Sequence, residues 1–360
     1  MVSQSVWKSP HQYVDRRTSA ARTEELFGDP LVSFLYAPLW ENGPALYPLL
    51  TAAWSSRLIG FLRYDAMLGA GARSTRKYLE RCGVHLDECL EPLERLDTPR
   101  KLFERKIRYW TCRPMPAEED TAVSPADGRV LVGSLAENSA LFLKGKFFDA
   151  EELVGKASRE WSRLFSGGDF AILRLTPEKY HYNHVPVAGR VLDFYELPGS
   201  YHACNPGAVV TVITPHSKNR RAVTILDTDV PGGTKVGVVA MIEVAALMVG
   251  EVVQCHSAER YHAPRPISRG DFLNKGAVKS LFRPGGSTVV LLFQSRRIRF
   301  ADDIVKNLTR PGVLSRYSLG FGRTLVETDI PVRSLLARRS ERPSAAEDYS
   351  PAVLEASHGQ

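Results

Sequence analysis

The chain has 360 residues, 44% hydrophobic and 24% charged, an ordinary globular composition with enough apolar material for one large domain or two smaller ones. Its net charge of +7 favours anionic partners such as an acidic lipid surface, but no lysine/arginine block concentrates that charge, which argues against nucleic acid. The five cysteines, Cys82, Cys89, Cys112, Cys204 and Cys255, are scattered without a CxxC pair, which excludes a disulfide framework and a zinc ribbon and fits a reducing compartment.

Taken in chain order, the first twenty residues are basic but lack the apolar run of a secretory signal, so the expectation is a protein that is not secreted. The stretch ALYPLLTAAW at 45–54 is about half the length of a bilayer crossing and contains Pro48. Residues 31–64 are dense in Leu, Tyr, Trp and Phe with Arg57 and Arg63 interspersed; this suits interfacial helices on a membrane, and equally a helical layer packed on the protein body. Apolar spacings of three and four mark residues 1–110 as helical. Beyond RPMPAEED at 113–120, short β-rich segments follow between Gly, Pro and Asp: RVLVGSL, ALFLKGKFF, FAILRL, RVLDFYEL, AVVTVIT, AVTIL, KVGVVAMIEVAALMVGEVVQ and STVVLLFQSRRIRF. The expected fold class is α+β, an N-terminal helical layer on a mostly antiparallel β sandwich or barrel-like core. The boundaries are 1–110 for the helical, membrane-associating region and 111–334 for the β-rich catalytic core, with 335–360 a disordered tail.

Three stretches carry candidate chemistry. SPADGRV at 124–130 places Asp127 in a turn before a strand; the plain reading is a β-turn, the functional one a carboxylate that orients a histidine. YHYNH at 180–184 places His181 and His184 three apart. In a strand they face opposite ways and in a helical turn they share a face. Zinc needs further ligands, for which Cys255 and His256 are the nominees, yet no metal-site spacing joins the four; hydrogen-bonded loop histidines or an acid/base pair fit better. In LFRPGGSTVVLLFQ at 281–294, Gly285 and Gly286 allow backbone angles closed to other residues. Ser287 then stands where its hydroxyl can attack the preceding amide.

Together, Asp127 in SPADG, the YHxxH pair and the late GGST resemble the phosphatidylserine decarboxylases, a self-cleaving, pyruvoyl-dependent family. YVDRRTSAARTEELFGDPLVSFLY, KGKFFDAEELVG, CNPGAVV, KNRR and VAALMVGEV resemble family segments in the same order, so that the likeness spans about residues 12–300.

The resemblance implies cleavage between Gly286 and Ser287 by a triad of Asp127, His184 and Ser287, giving a large chain 1–286 and a small chain 287–360 that stay together. Ser287 becomes the pyruvoyl cofactor, an electron sink for loss of carbon dioxide from phosphatidylserine, and His181 assists decarboxylation. The implied partner is phosphatidylserine in a membrane surface, with the enzyme peripheral on the cytoplasmic face and free to form a homo-oligomer; no metal is implied. The chain departs from common family patterns at Lys179 and Tyr182, around the first histidine, and at Val278 and Ser280. These positions leave room for a relative acting on another amino-acid headgroup or a free amino acid. Two other readings use the same residues: a Ser-His-Asp hydrolase, which would keep the chain whole, and a non-catalytic membrane-associated β module.

Overall fold

The structure, a computed structural model, describes residues 4–26, 68–137, 139, 147–155, 159–211, 214–246, 251–284 and 287–341. The aromatic stretch 31–64, most of ALFLKGKFF, the Gly285–Gly286 pair and the tail beyond 341 lie outside the described residues.

Sixteen strands are described. In chain order they are β1 (Gln12–Asp15), β2 (Ala21–Thr23), β3 (Thr121–Val123), β4 (Gly128–Ser134), β5 (Asp169–Leu175), β6 (Tyr182–His184), β7 (Gly189–Leu197) and β8 (Arg221–Asp227). There follow β9 (Val238–Ala245), β10 (Val252–Ser257), β11 (Phe272–Leu273), β12 (Val278–Phe282), β13 (Ser287–Phe293), β14 (Ile298–Phe300), β15 (Thr328–Ile330) and β16 (Leu335–Arg339). Ten form one large sheet in the order β11-β7-β8-β9-β13-β5-β4-β15-β1-β2; β10-β12-β6 and β14-β16-β3 form two smaller sheets. Pairing is antiparallel except between β1 and β15. The mixed, mostly antiparallel class matches the expectation, but the large sheet is open rather than closed into a barrel.

The apolar run STVVLLF explains the centre of this sheet. A strand buried on both faces has no need of polar alternation, and every residue of β13 is buried. It pairs along its whole length with β9 on one side and β5 on the other, so that Ser287 lies opposite Ala245 and Leu175. The small sheet β10-β12-β6 packs on one face of it: the Glu243 carboxylate of β9 reaches Asn183 of β6 and Lys279 and Ser280 of β12.

Four local expectations are corrected. Residues 1–110 contain the strands β1 and β2 as well as the helix Leu68–Arg81. The described start of AVVTVIT is not a strand: Pro206–Thr211 is helical, because the Asn205 side chain accepts the Gly207 amide at 2.9 Å and Pro206 has its φ preset, which outweighs the β-branched valines. VKSLF, polar enough to escape notice, is the middle strand of the small sheet. The ordered chain also continues past 334, since β16 pairs with both β14 and β3 and draws on the apolar Leu335, Leu336 and Ala337.

Candidate active site

Ser287 opens β13 and is 1% exposed, and its hydroxyl oxygen has no hydrogen-bond partner. Residues directly opposite on paired strands share a face. Ser287 therefore shares one with Ala245 and, two residues on, Val289 shares it with Glu243. That face meets the small sheet, as the Glu243 contacts show. The Ser287 amide points to the Cys204 thiol, which burial raises above its ordinary pKa. Cys204 sits in CNPG, a segment read for its family likeness alone.

The two histidines lie on or beside β6, and in a strand residues of the same parity share a face. Asn183 faces the large sheet. His184 faces an aromatic layer instead, where the Tyr109 ring stands edge-on at 4.6 Å. The Nδ1 of His184 lies 2.9 Å from the Gly276 carbonyl, which can only accept, so Nδ1 carries the hydrogen. Its Nε2 then accepts from the Tyr180 hydroxyl at 3.1 Å; Tyr180 meets the Tyr261 hydroxyl at 2.7 Å, and Tyr261 reaches the Ile107 carbonyl at 2.9 Å. Burial drives the His184 pKa down to about 4, so the ring is neutral near pH 7. Gly276 supplies its carbonyl from a φ of +77°, a left-handed conformation that favours glycine, and a Cβ there would push the Met115 sulfur, 2.6 Å away, aside.

His181 is fully buried, stacked on Phe103 with ring centroids 3.6 Å apart. Its Nδ1 lies 2.8 Å from the Lys179 carbonyl and its Nε2 has no partner. Burial, followed by the nearby Arg105 guanidinium, lowers its pKa to about 3.

Asp127 does not hydrogen-bond either histidine. Arg113 takes its carboxylate at 2.8 and 2.9 Å, and the Val332 amide donates to Oδ1 at 2.7 Å. Burial opposes the charge, but Arg113 overcomes it and holds the carboxyl below its usual value. The expectation that Asp127 orients His184 is thus corrected: its oxygens are already occupied, and Gly276 and Tyr180 fix the ring. The Asp127 charge favours the imidazolium of His184, but burial and the Arg333 and Arg113 guanidiniums oppose it. The SPADG turn also clamps the backbone, with Pro125 accepting the His184 amide at 2.7 Å and Ser124 exchanging bonds with Arg333 and Ser334 at 2.8 Å. Among the described residues no hydrogen bond joins Asp127, His184 and Ser287 to one another.

Among the described residues the zinc nominees do not converge with the histidine pair into a ligand group: His256 turns its Nδ1 to the Val278 carbonyl at 2.8 Å, and Cys255 lies in the aromatic layer. A groove of about 370 Å³ opens beside Gly276, lined by Trp110, Met115, Lys275 and Arg333 among others. Sequence reading missed the polar group between the sheets. Lys279 and Glu243, both fully buried, pair at 2.6 Å, and Gln254 and Asn183 complete the carboxylate's bonds at 3.1 Å each. A lysine, a glutamate and a serine at strand positions that alternation would otherwise fill with apolar residues were the signal available.

Comparison with known proteins settles the lineage. Residues 100–322 match the sequence profile of the phosphatidylserine decarboxylase family. A phosphatidylserine decarboxylase proenzyme of Chlamydia trachomatis is 31% identical over 310 residues, covering 86% of this chain and 95% of the relative. The chain belongs to the phosphatidylserine decarboxylase family. A proenzyme of Fusobacterium nucleatum is 27% identical over the same coverage, and one of Oryza sativa 33% identical over 245 residues, 66% of this chain and 36% of that relative. Membership makes the protein a decarboxylase and gives context to its departures from the family patterns. Lys179 pairs with Asp329 at 2.6 Å, Tyr182 stacks on Tyr180 at 5.5 Å, and Ser280 donates to Glu243.

Proposed function

We propose that the chain is a precursor that cleaves itself between Gly286 and Ser287, and that the product decarboxylates phosphatidylserine to phosphatidylethanolamine. The observation that carries this is Ser287: a hydroxyl buried without a partner, on the first residue of the central strand. A buried hydroxyl left unsatisfied is costly, and it is affordable where the group is a reagent. The relatives' proenzyme names support a processed precursor.

In this reading the Ser287 oxygen adds to the 286 carbonyl, the amide C–N bond breaks, and the nitrogen gains the proton that the hydroxyl gives up. Loss of the new ester from the Ser287 Cβ, with the Cα proton going to a base, parts the chains. Loss of the nitrogen as ammonia against one water leaves a pyruvoyl group. Residue 287 fits such a group, because β13 is paired on both sides and holds its new terminus in place. When formed, the group supplies an electron sink for the departing carboxylate.

His184 serves as the base. Its chain of contacts has four gaps (Gly276 to Nδ1, Nε2 to Tyr180, Tyr180 to Tyr261, Tyr261 to Ile107). Neutral, these groups bring three hydrogens, one from each side chain, which leaves room for one more proton. Asp127, held ionised by Arg113, favours that added charge, and His181 assists decarboxylation. One observation favours a second assignment: the free Nε2 belongs to His181, the residue just before β6. In that assignment His181 takes the Ser287 proton directly. Denaturing gels of His181→Ala and His184→Ala decide between them, since the variant lacking the cleavage base stays whole.

After cleavage the chains stay joined by β13 in the sheet and by Arg174 of the large chain bound to Glu327 of the small one at 2.6 Å. The substrate reading places residues 1–110 against the membrane surface; among the described residues no helix is long and apolar enough to cross it. Release of labelled carbon dioxide from carboxyl-labelled phosphatidylserine tests the activity. Release from free serine but not from the lipid would overturn the substrate assignment.

A further inference from the structure

Among the buried polar atoms without partners are Asn183 Oδ1, His181 Nε2, Ser287 Oγ and, on the face of the large sheet that bears Glu243, Thr224 Oγ1. The orientation of Asn183 follows from its neighbours. Its amide nitrogen lies 3.1 Å from Glu243 Oε1 and 3.0 Å from Ser280 Oγ. A carboxylate only accepts, so the NH2 group must face it, and the carbonyl oxygen is left aimed elsewhere. Glu243 is itself saturated by Lys279, Gln254, Ser280 and Asn183, so nothing in the network can turn to satisfy Oδ1. His181 Nδ1 faces a carbonyl and carries the ring hydrogen, which makes its Nε2 an acceptor as well. His181 immediately precedes β6, and Asn183 within it faces the sheet surface that bears Ser287.

Two buried acceptors without donors are complementary to an N–H group and unfavourable to an anion. We propose that Asn183 determines headgroup specificity by accepting a hydrogen bond, through Oδ1, from the amino group of an aminophospholipid. The inference rests on the decarboxylase reading and adds to it the residue that distinguishes amine-bearing headgroups.

The test compares mature wild-type protein with Asn183→Leu, and with Asn183→Ala should the leucine disturb the interface. Calorimetric binding of dihexanoyl phosphatidylethanolamine, which carries the amine, is set against dihexanoyl phosphatidylglycerol, which does not. Loss of one buried hydrogen bond predicts about tenfold weaker binding of the amine lipid and an unchanged affinity for the other. KM for phosphatidylserine should rise about tenfold with kcat within about threefold, and the precursor should still cleave. Unchanged binding, as expected if Oδ1 holds only an internal water, would overturn the proposal. So would an equal loss for both lipids, the mark of a structural role. If wild-type protein releases no carbon dioxide from phosphatidylserine, the proposed function fails, while the paired binding measurement still decides the role of Asn183.

Discussion

The two faces of the large sheet differ in how they bury polar groups, although each holds an unpartnered hydroxyl, Thr288 Oγ1 on one and Ser287 Oγ on the other. On the face shared by Arg174, Arg129 and Thr288, every charge meets an opposite one. Arg174 binds Glu24 at 2.7 Å and Glu327 at 2.6 Å, Arg129 also pairs with Glu24, and His11 reaches Glu327 at 2.7 Å. Burial opposes these charges, yet the guanidiniums hold Glu24 far below the usual carboxylate range. His11, Glu24 and Glu327 offer ligand atoms within 4.8 Å of one another, but Arg174 already supplies the cation. On the other face Glu243 and Lys279 also pair, while Ser287 Oγ, and Asn183 Oδ1 of the small sheet packed against it, are buried and unpartnered. Paired charges join distant segments of the chain and hold the fold; unpaired acceptors and a bare hydroxyl remain available to a reaction.

The comparison can be broken from either side. Ser287→Ala should abolish cleavage and decarboxylation completely while leaving the melting temperature at or above that of wild type, since it removes an unsatisfied atom; a large drop would make the hydroxyl structural. Arg174→Met should remove the cation shared by two buried carboxylates, leaving Glu24 only Arg129 and Glu327 only His11, and cost about 3–5 kcal/mol in chemical denaturation. A cost within about 1 kcal/mol of zero would show that this face does not hold the fold. Acid should act through the buried neutral histidines. Those with pKa values near 3 to 4, His181, His184, His202 and His216, gain protons more readily unfolded than folded. Their contribution is complete above the unfolded value of about 6.5 and is lost as pH falls through about 4. Melting temperature should therefore decline across that window, and a flat profile would contradict the burial. Tyr261→Phe should have the smallest effect, slowing cleavage several-fold and shifting its pH profile by removing one link beyond His184. An unshifted profile would remove Tyr261 from proton handling.

Sequence patterning gave a good account of the core and a partial one of the site. β13, β5 and β8 were legible because short apolar-rich stretches (VVLLF, FAILRL and AVTIL) bounded by turn formers have few alternatives. AVVTVIT was misread because propensity is weaker than a well-placed cap and proline. β12 was missed because Lys279 and Ser280 look exposed in sequence and are buried only through Glu243, a partner 36 residues away. At the site, Ser287, His181, His184 and Asp127 were all singled out, each from a local signature. Their partners were not, since Gly276, Tyr261 and Arg113 reach them through tertiary contacts that no local window contains.

The central claim is that Ser287 breaks the bond behind it, and intact mass measurement of freshly purified protein tests it most directly. The account predicts two chains divided after Gly286, whose masses sum to that of the precursor plus one water minus one ammonia. A single uncleaved mass would contradict it, as would two chains whose sum exceeds the precursor by the water alone, the signature of ordinary proteolysis.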